Sequence, residues 1–276
     1  MSRKGKLFCE INPFCYAISE KKEHLKRHLK DLRSKNHFSK TKKQERLAAQ
    51  VCEHRSRLIK RAPGVDPVSQ ENKAVNVRLA CEKISGMIIR PGEVFSFWRT
   101  VGKTSKRKGY KEGRVIQGNK IITGVGGGLC NLGNTIHLLV LHSPLDVVEF
   151  HKHSDALAPD EGKRVPFAAG TSVCYNHIDY RFQNNTDQEV QLLLWVEEEQ
   201  LCGEIRCERE FPHTYRLVEE DHHFKKEGEK FYRNSMIYRE VLDRASGEVI
   251  KKELSLKNHS EVLFDHALIP KELIRP

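Results

Sequence analysis

Apolar residues recur along this chain with two different periods, and the changes of period mark its elements. Across residues 19–33, Leu25, Leu29 and Leu32 fall at i, i+4 and i+7 among lysines, arginines and acids, which predicts a helix with one apolar stripe. A second basic stretch, residues 41–58, reads as another helix, and the Pro and Gly of residues 62–67 read as a turn. Residues 70–84 place Val75, Leu79 and Ile84 on one side, a core-facing helix that Ser85-Gly86 ends. The period then drops to two. Residues 87–89 and 93–98 read as strands around Arg90-Pro91-Gly92, and residues 114–117 and 120–123 as a hairpin. Beyond a later helix, residues 145–150, 171–175, 178–182, 190–196 and 201–208 read as strands, and the region from His213 as a last β-meander. The expected fold is α+β: N-terminal helices, then a central helix on a mostly antiparallel sheet, with a β-rich C-terminus.

The central helix has an unusual entry. Residues 123–142 begin Thr123-Gly124-Val125-Gly126-Gly127-Gly128-Leu129-Cys130 and continue as an apolar run to His142. Consecutive glycines admit tight and positive-φ backbone, and a cysteine placed just after them sits at the helix N-terminus. Orphan N–H groups and the helix dipole favour thiolate there, so Cys130 reads as an activated nucleophile, with a packed, inert thiol as the alternative. The N–H groups of Gly126, Gly127, Gly128 and Leu129 are candidate oxyanion donors. The glycine spacing fits neither the dinucleotide fingerprint nor the P-loop. His137 shares the helix face but lies about 10 Å along it, too far to serve as the base. His151 and His153, two apart on a strand end, point to one face.

Charge changes the picture at one end only. The 276 residues carry a formal net charge of +11. Residues 1–62 hold 18 Lys and Arg against 6 Asp and Glu, so the rest is near neutral. The basic segment reads as a helical face packed on the main domain, or as a peripheral contact with anionic membrane or polyanionic wall precursors. It lacks aromatic platforms for stacking bases, which argues against nucleic acid. Eight cysteines without regular spacing do not make a disulfide framework, and residues 1–9 have no apolar signal core; a cytoplasmic location is expected. There is no CxxC pair, and Cys202 and Cys207 fall on opposite strand faces, so no metal site is expected, nor any cofactor.

The ordered series Arg90-Pro91-Gly92-Glu93-Val94-Phe95-Ser96-Phe97-Trp98, Gly126-Gly127-Gly128-Leu129-Cys130, His153-Ser154 and Ile178-Asp179-Tyr180-Arg181-Phe182-Gln183-Asn184-Asn185-Thr186 resembles the VanW family. On that resemblance residues 68–210 form the family's core domain, after the basic segment 1–62 and before a β-rich extension 211–276. The resemblance implies a role in glycopeptide resistance or wall stress. It further implies a cysteine acyltransferase or hydrolase of the L,D-transpeptidase type, with Cys130 as nucleophile and His153 as base acting on peptidoglycan-precursor peptides. The alternative is a non-catalytic module that binds such precursors. Arg90, Trp98, Arg99, Arg114 and Asn131 are candidate ligand contacts. Two positions depart from the family pattern: Gly170 replaces an acid expected after the histidine, leaving Asp155 or Asp179 to orient it, and Asn131 stands where relatives commonly carry Gln.

Overall fold

Asn12 accepts the Cys15 N–H at 2.8 Å and Pro13 takes the first helical position, so helix α1 spans Pro13–Arg33, opening before the leucine spacing indicated. The computed structural model describes residues 8–61, 66–117, 120–152, 154–160, 164–166, 170–175 and 178–276. After α1 come β1 (His37–Phe38) and β2 (Ala49–Arg57). The helix expected over 41–58 is therefore a strand for much of its length. Its Cys52, His54 and Ser56 are half-buried while Glu53, Arg55 and Arg57 are exposed, a period of two hidden by the density of charge. Asp66 then caps α2 (Pro67–Ile84), accepting from Val68 N at 3.1 Å and Ser69 N at 3.0 Å.

Next in order are β3 (Met87–Ile89), β4 (Glu93–Ser96) and the short α3 (Phe97–Val101). The strand expected through Trp98 stops at Ser96, whose Oγ accepts the Arg99 N–H at 3.3 Å and turns the chain into α3. The hairpin β5 (Glu112–Gln117) and β6 (Lys120–Val125) leads into α4 (Leu129–Leu141). Beyond it lie β7 (Asp146–Glu149), β8 (Arg181–Gln183), β9 (Val190–Glu197) and β10 (Gln200–Cys207). The chain ends in the long strands β11 (His213–Glu227), β12 (Lys230–Asp243) and β13 (Val249–Glu261), with a short β14 (Ile274–Arg275). The segment 171–175 makes only isolated bridges, Lys152 to Thr171 and Cys174 to Ile178, rather than the expected strand.

Among the described residues three four-stranded sheets form, ordered β2-β10-β9-β3, β1-β4-β8-β7 and β13-β12-β11-β14. Neighbours are antiparallel except β1 with β4 and β11 with β14. The α+β expectation holds. Helices α2 and α4 lie on the first sheet, and α4 is buried almost all round, with Leu132, Ile136, Leu139 and Val140 in the core. Gly203 on β10 permits that approach: a Cβ there would stand 2.7 Å from Leu139 Cδ1 and 2.9 Å from Leu194 Cδ2.

Helix α1 is seated differently, by charge. Arg181 on β8 holds both oxygens of Asp31 at 2.7 and 2.9 Å, and its Nε donates to Asp179 at 2.7 Å. Arg27 reaches Glu149 and, at 3.5 Å, Asp179. Asp179 also accepts from Ser96 Oγ at 2.6 Å and from the Trp98 and Tyr180 amides at 3.0 Å each. Burial works against the charged form of Asp31, yet the guanidinium groups of Arg181, Arg27 and Arg99 hold its carboxyl below the usual range. Removing one partner from a buried pair strands the other charge, so Asp31→Ala should destabilise the seating of α1 by about 3–5 kcal/mol. The expected result is faster tryptic cleavage within residues 13–33 while the sheets keep their circular-dichroism signal; unchanged cleavage would show that another contact holds the helix.

Candidate functional site

The glycine turn is built by close approach. Gly128 is the cap of α4 at φ 94° and Gly126 lies at φ 84°, both conformations that side chains disfavour. At Gly127 a Cβ would stand 2.2 Å from the carbonyl carbon of Gly113, so only glycine fits between β5 and α4. Asn76 of α2, fully buried, pins the turn. Its Nδ2 donates to the carbonyls of Gly127 at 2.9 Å and Lys111 at 3.1 Å, and its Oδ1 accepts the Lys111 N–H at 2.8 Å. The turn's amides are engaged in turn: Gly126 N donates to Lys111 O at 2.9 Å, Gly127 N to Gly124 O at 3.3 Å and Gly128 N to Arg114 O at 3.1 Å. The glycine amides thus bond backbone carbonyls rather than face an oxyanion, leaving Leu129 of the expected donors.

Cys130 is the second residue of α4, as the sequence indicates, and its Sγ donates to the Val173 carbonyl at 3.6 Å. Two effects oppose each other there. The helix start favours thiolate, but burial dominates, and the thiol is pushed up despite hydrogen bonding with the backbone. Cys174, next to Val173, is raised as well, by burial first and then by Cys130 and Glu20. On α4 and the segment 170–175, three buried polar atoms, Asn131 Oδ1, Asn134 Oδ1 and Thr171 Oγ1, have no hydrogen-bond partner among the described residues.

His153, the expected base, lies outside the described residues. Of the other candidates, His137 is buried with Nδ1 3.1 Å from the Tyr180 hydroxyl, and burial lowers it to about 3, so it is a neutral core imidazole. His151 bonds Glu149 Oε1 through Nε2 at 3.0 Å. Of the two acids suggested as replacements for the residue at Gly170, Asp179 is committed as above and Asp155 pairs with Arg164. Burial raises the Asp155 carboxyl in spite of that partner.

Of the expected ligand contacts, the structure brings Trp98 and Arg99 together. They line a hollow of about 250 Å³ between α1 and α3, with His24, Arg27, Tyr175 and Arg181 opposite. Tyr175 stacks edge-on with Trp98 at 5.4 Å and meets His24 at 4.7 Å. A second hollow, about 510 Å³, shares Arg99 and Asp31 with the first and includes Arg90, which pairs with Glu189. Arg114 lies elsewhere, on β5 at the glycine turn, where it and Lys60 act electrostatically on Lys73. Lys73 itself packs on Gly128 and donates to Gln70 Oε1 at 2.7 Å; burial, then Lys60 and Arg114, lower it to about 8. Sequence reasoning missed Lys73, Asn76 and Tyr175. Asn76 carried a signal, a polar residue beside the apolar side of the 70–84 helix; the other two carried none.

The fold and this turn define an α+β protein whose central helix is headed by a glycine turn and a half-buried cysteine. Residues 72–206 match the family model of VanW-like proteins. That segment, just under half of the chain, is VanW-like. It is similar to the vancomycin B-type resistance protein VanW of Enterococcus faecalis, 27% identical over 201 residues that cover 73% of each chain. It is also similar to the uncharacterized protein YoaR of Bacillus subtilis, 30% identical over 122 residues, 44% of this chain and 39% of that one. No solved structure matches.

Two variants test this geometry. Asn76→Ala leaves the Gly127 carbonyl and both groups of Lys111 without their buried partner, so it should cost about 2–4 kcal/mol in urea denaturation and speed alkylation of Cys130. His137 gains a proton readily when unfolded but not when folded, so its contribution to stability is present above about pH 6.5 and falls as pH drops toward about 3. His137→Phe should flatten the stability profile across that window; an unchanged profile would place the acid sensitivity elsewhere.

Proposed function

We propose that this protein is an accessory module of glycopeptide resistance that binds a wall-precursor peptide in the hollow between α1 and α3, with Cys130 a packed thiol. The resistance role comes from the Enterococcus relative, a vancomycin B-type resistance protein by name. The observation that carries the binding reading is the state of the thiol. Cys130 is raised by burial and directed at Val173 O, while the hollow between α1 and α3 presents two aromatic faces and three guanidinium groups. Trp98 and Tyr175 offer apolar contact to a peptide. Arg99, half-exposed and 3.3 Å from Asp31, offers a cation to a carboxylate or phosphate. The segment 170–175 connects the two, since Val173 accepts from Cys130 and Tyr175 lines the hollow.

Asn131 Oδ1, Asn134 Oδ1 and Thr171 Oγ1, buried on α4 and the segment 170–175 and without partners among the described residues, favour a second reading, catalysis. There, His153 would take the thiol proton, the Cys130 sulfur would bond the substrate's amide carbon, and the amine would leave with that proton. Water or a second amine would then cleave the thioester and restore the thiol.

The two readings part at one pair of variants, assayed for glycopeptide resistance in a host that depends on this protein. On the binding reading Cys130→Ala retains resistance, whereas Trp98→Ala weakens binding of a soluble wall-precursor pentapeptide at least about tenfold and loses resistance. The alkylation rate of Cys130 should rise with a midpoint above the unperturbed value of about 8.5. Loss of resistance in a folded Cys130→Ala, with a midpoint below that value, would overturn binding in favour of catalysis.

A further inference from the structure

Helix α1 is mounted inside out. Its polar residues Arg27, Asp31 and His24 face the body, and its large apolar residues other than the buried Cys15 are exposed. Phe14 is 73% exposed, Leu25 59% and Leu32 68%; Ile18 and Leu29 are exposed as well, and Phe8 and Ile11 continue the surface ahead of the helix. Phe14, Ile18, Leu25, Leu29 and Leu32 occupy one face at helical spacing, a continuous apolar stripe of a kind that single-copy soluble proteins rarely expose.

The charges on the same helix are sorted. Asp31 is turned inward to Arg181, and Glu20 lies close enough to raise Cys174. Lys21, Lys22, Lys26 and Arg33 flank the stripe, and Lys21, Lys22 and Arg33 have no acid partner among the described residues. The sequence ahead of the helix adds Arg3, Lys4 and Lys6. We infer that α1 is a peripheral docking helix for an anionic lipid surface, its apolar stripe entering the headgroup boundary and its flanking lysines meeting lipid phosphates. An apolar stripe bordered by unpaired cations is complementary to that surface and to few others.

A second copy of the chain fits the stripe poorly. Ile18, Leu25 and Leu32 are seven apart, as in one row of a coiled-coil seam, but the companion row is Phe14, Lys21 and His28. Pairing two such helices would bury Lys21 and crowd the lysines of both. No helix among the described residues is long and apolar enough to cross a membrane, so the contact is one of surface attachment.

The test is co-sedimentation of the full chain with vesicles of phosphatidylcholine, either alone or with about 30% phosphatidylglycerol, at low and high salt. The wild type should pellet with the anionic vesicles and be released by salt. Leu25→Ser/Leu32→Ser and, separately, Lys21→Gln/Lys22→Gln should each weaken binding by roughly tenfold or more. All four side chains are at the surface, so circular dichroism and thermal melting should stay at wild-type values. Equal partition onto neutral and anionic vesicles, or wild-type binding by the leucine variant, would overturn the inference. So would a dimer in analytical ultracentrifugation that the leucine variant dissolves without any vesicle binding, which would assign the stripe to a second copy. The readout is lipid partition, so its failure is separate from any failure in ligand binding.

Discussion

The salt-bridged carboxylate of Asp179 is the joint on which this structure turns. One side chain accepts the Trp98 amide that starts α3, the hydroxyl of Ser96 that ends β4, the amide of Tyr180 and the guanidinium of Arg181. Arg181 passes the connection to Asp31, and Arg27 closes it through Glu149. Charges so far removed from water repay their desolvation only when geometry and hydrogen bonding are near complete, and here every carboxylate meets at least one guanidinium. The consequence reaches two elements. Because α1 is held by its polar face, its apolar face must point outward. Because α3 is fixed at its first turn, Trp98 is set against Tyr175 as one wall of the hollow.

The second constraint is steric, and it governs the thiol. Gly113 and Gly127 touch with no room for a side chain, and Asn76 ties the same turn to α2. That contact brings β5 down over the start of α4 and engages the glycine amides with backbone carbonyls. A helix N-terminus is commonly electropositive because its first amides are free. Here the segment 170–175 covers the first turn, and Cys130 meets a carbonyl and a low-dielectric surrounding instead of open amides and water. Burial therefore decides the direction of the shift. Exposing the thiol requires moving the segment that carries Val173 and Cys174.

These two constraints also divide what the sequence reveals from what it conceals. The Gly126–Gly128 run and the apolar series behind it announce α4, because positive φ and helical period are local properties. Strands β9 and β10 are legible for the same reason, through Val190 to Val196 and Leu201 to Cys207. Strand β2 is not, since Glu53, Arg55 and Arg57 fill its outer face and make a half-buried strand look like a charged helix. The partners of Asp179 lie as far away as residue 27, and nothing local distinguishes a buried carboxylate from a surface one. The stripe of Leu25, Leu29 and Leu32 shows a similar limit. Period identifies the helix and its apolar side, but only the distant Arg181 and Glu149 determine that this side faces away from the core.

A helix held by charge on one face and open on the other links two surfaces. Arg27, Asp31 and His24 are at once the seat of α1 and one wall of the hollow, while Leu25 and Leu32 on the same turns are exposed. An anion entering the hollow would compete with Asp31 for Arg99 and Arg181, the bonds that seat the helix. Anchoring the outer stripe would restrain the helix and so preserve those bonds. On the two proposals, binding in the hollow and attachment at the stripe would be coupled through one helix, with a sign set by whether the anion replaces Asp31 or joins it. The guanidinium of Arg181 decides this: both of its terminal nitrogens already bond Asp31 and its Nε bonds Asp179, so it has little to offer an added ligand. Arg99 has a single bond to Asp31 and an exposed edge, which makes it the cation an incoming anion can take while leaving α1 in place.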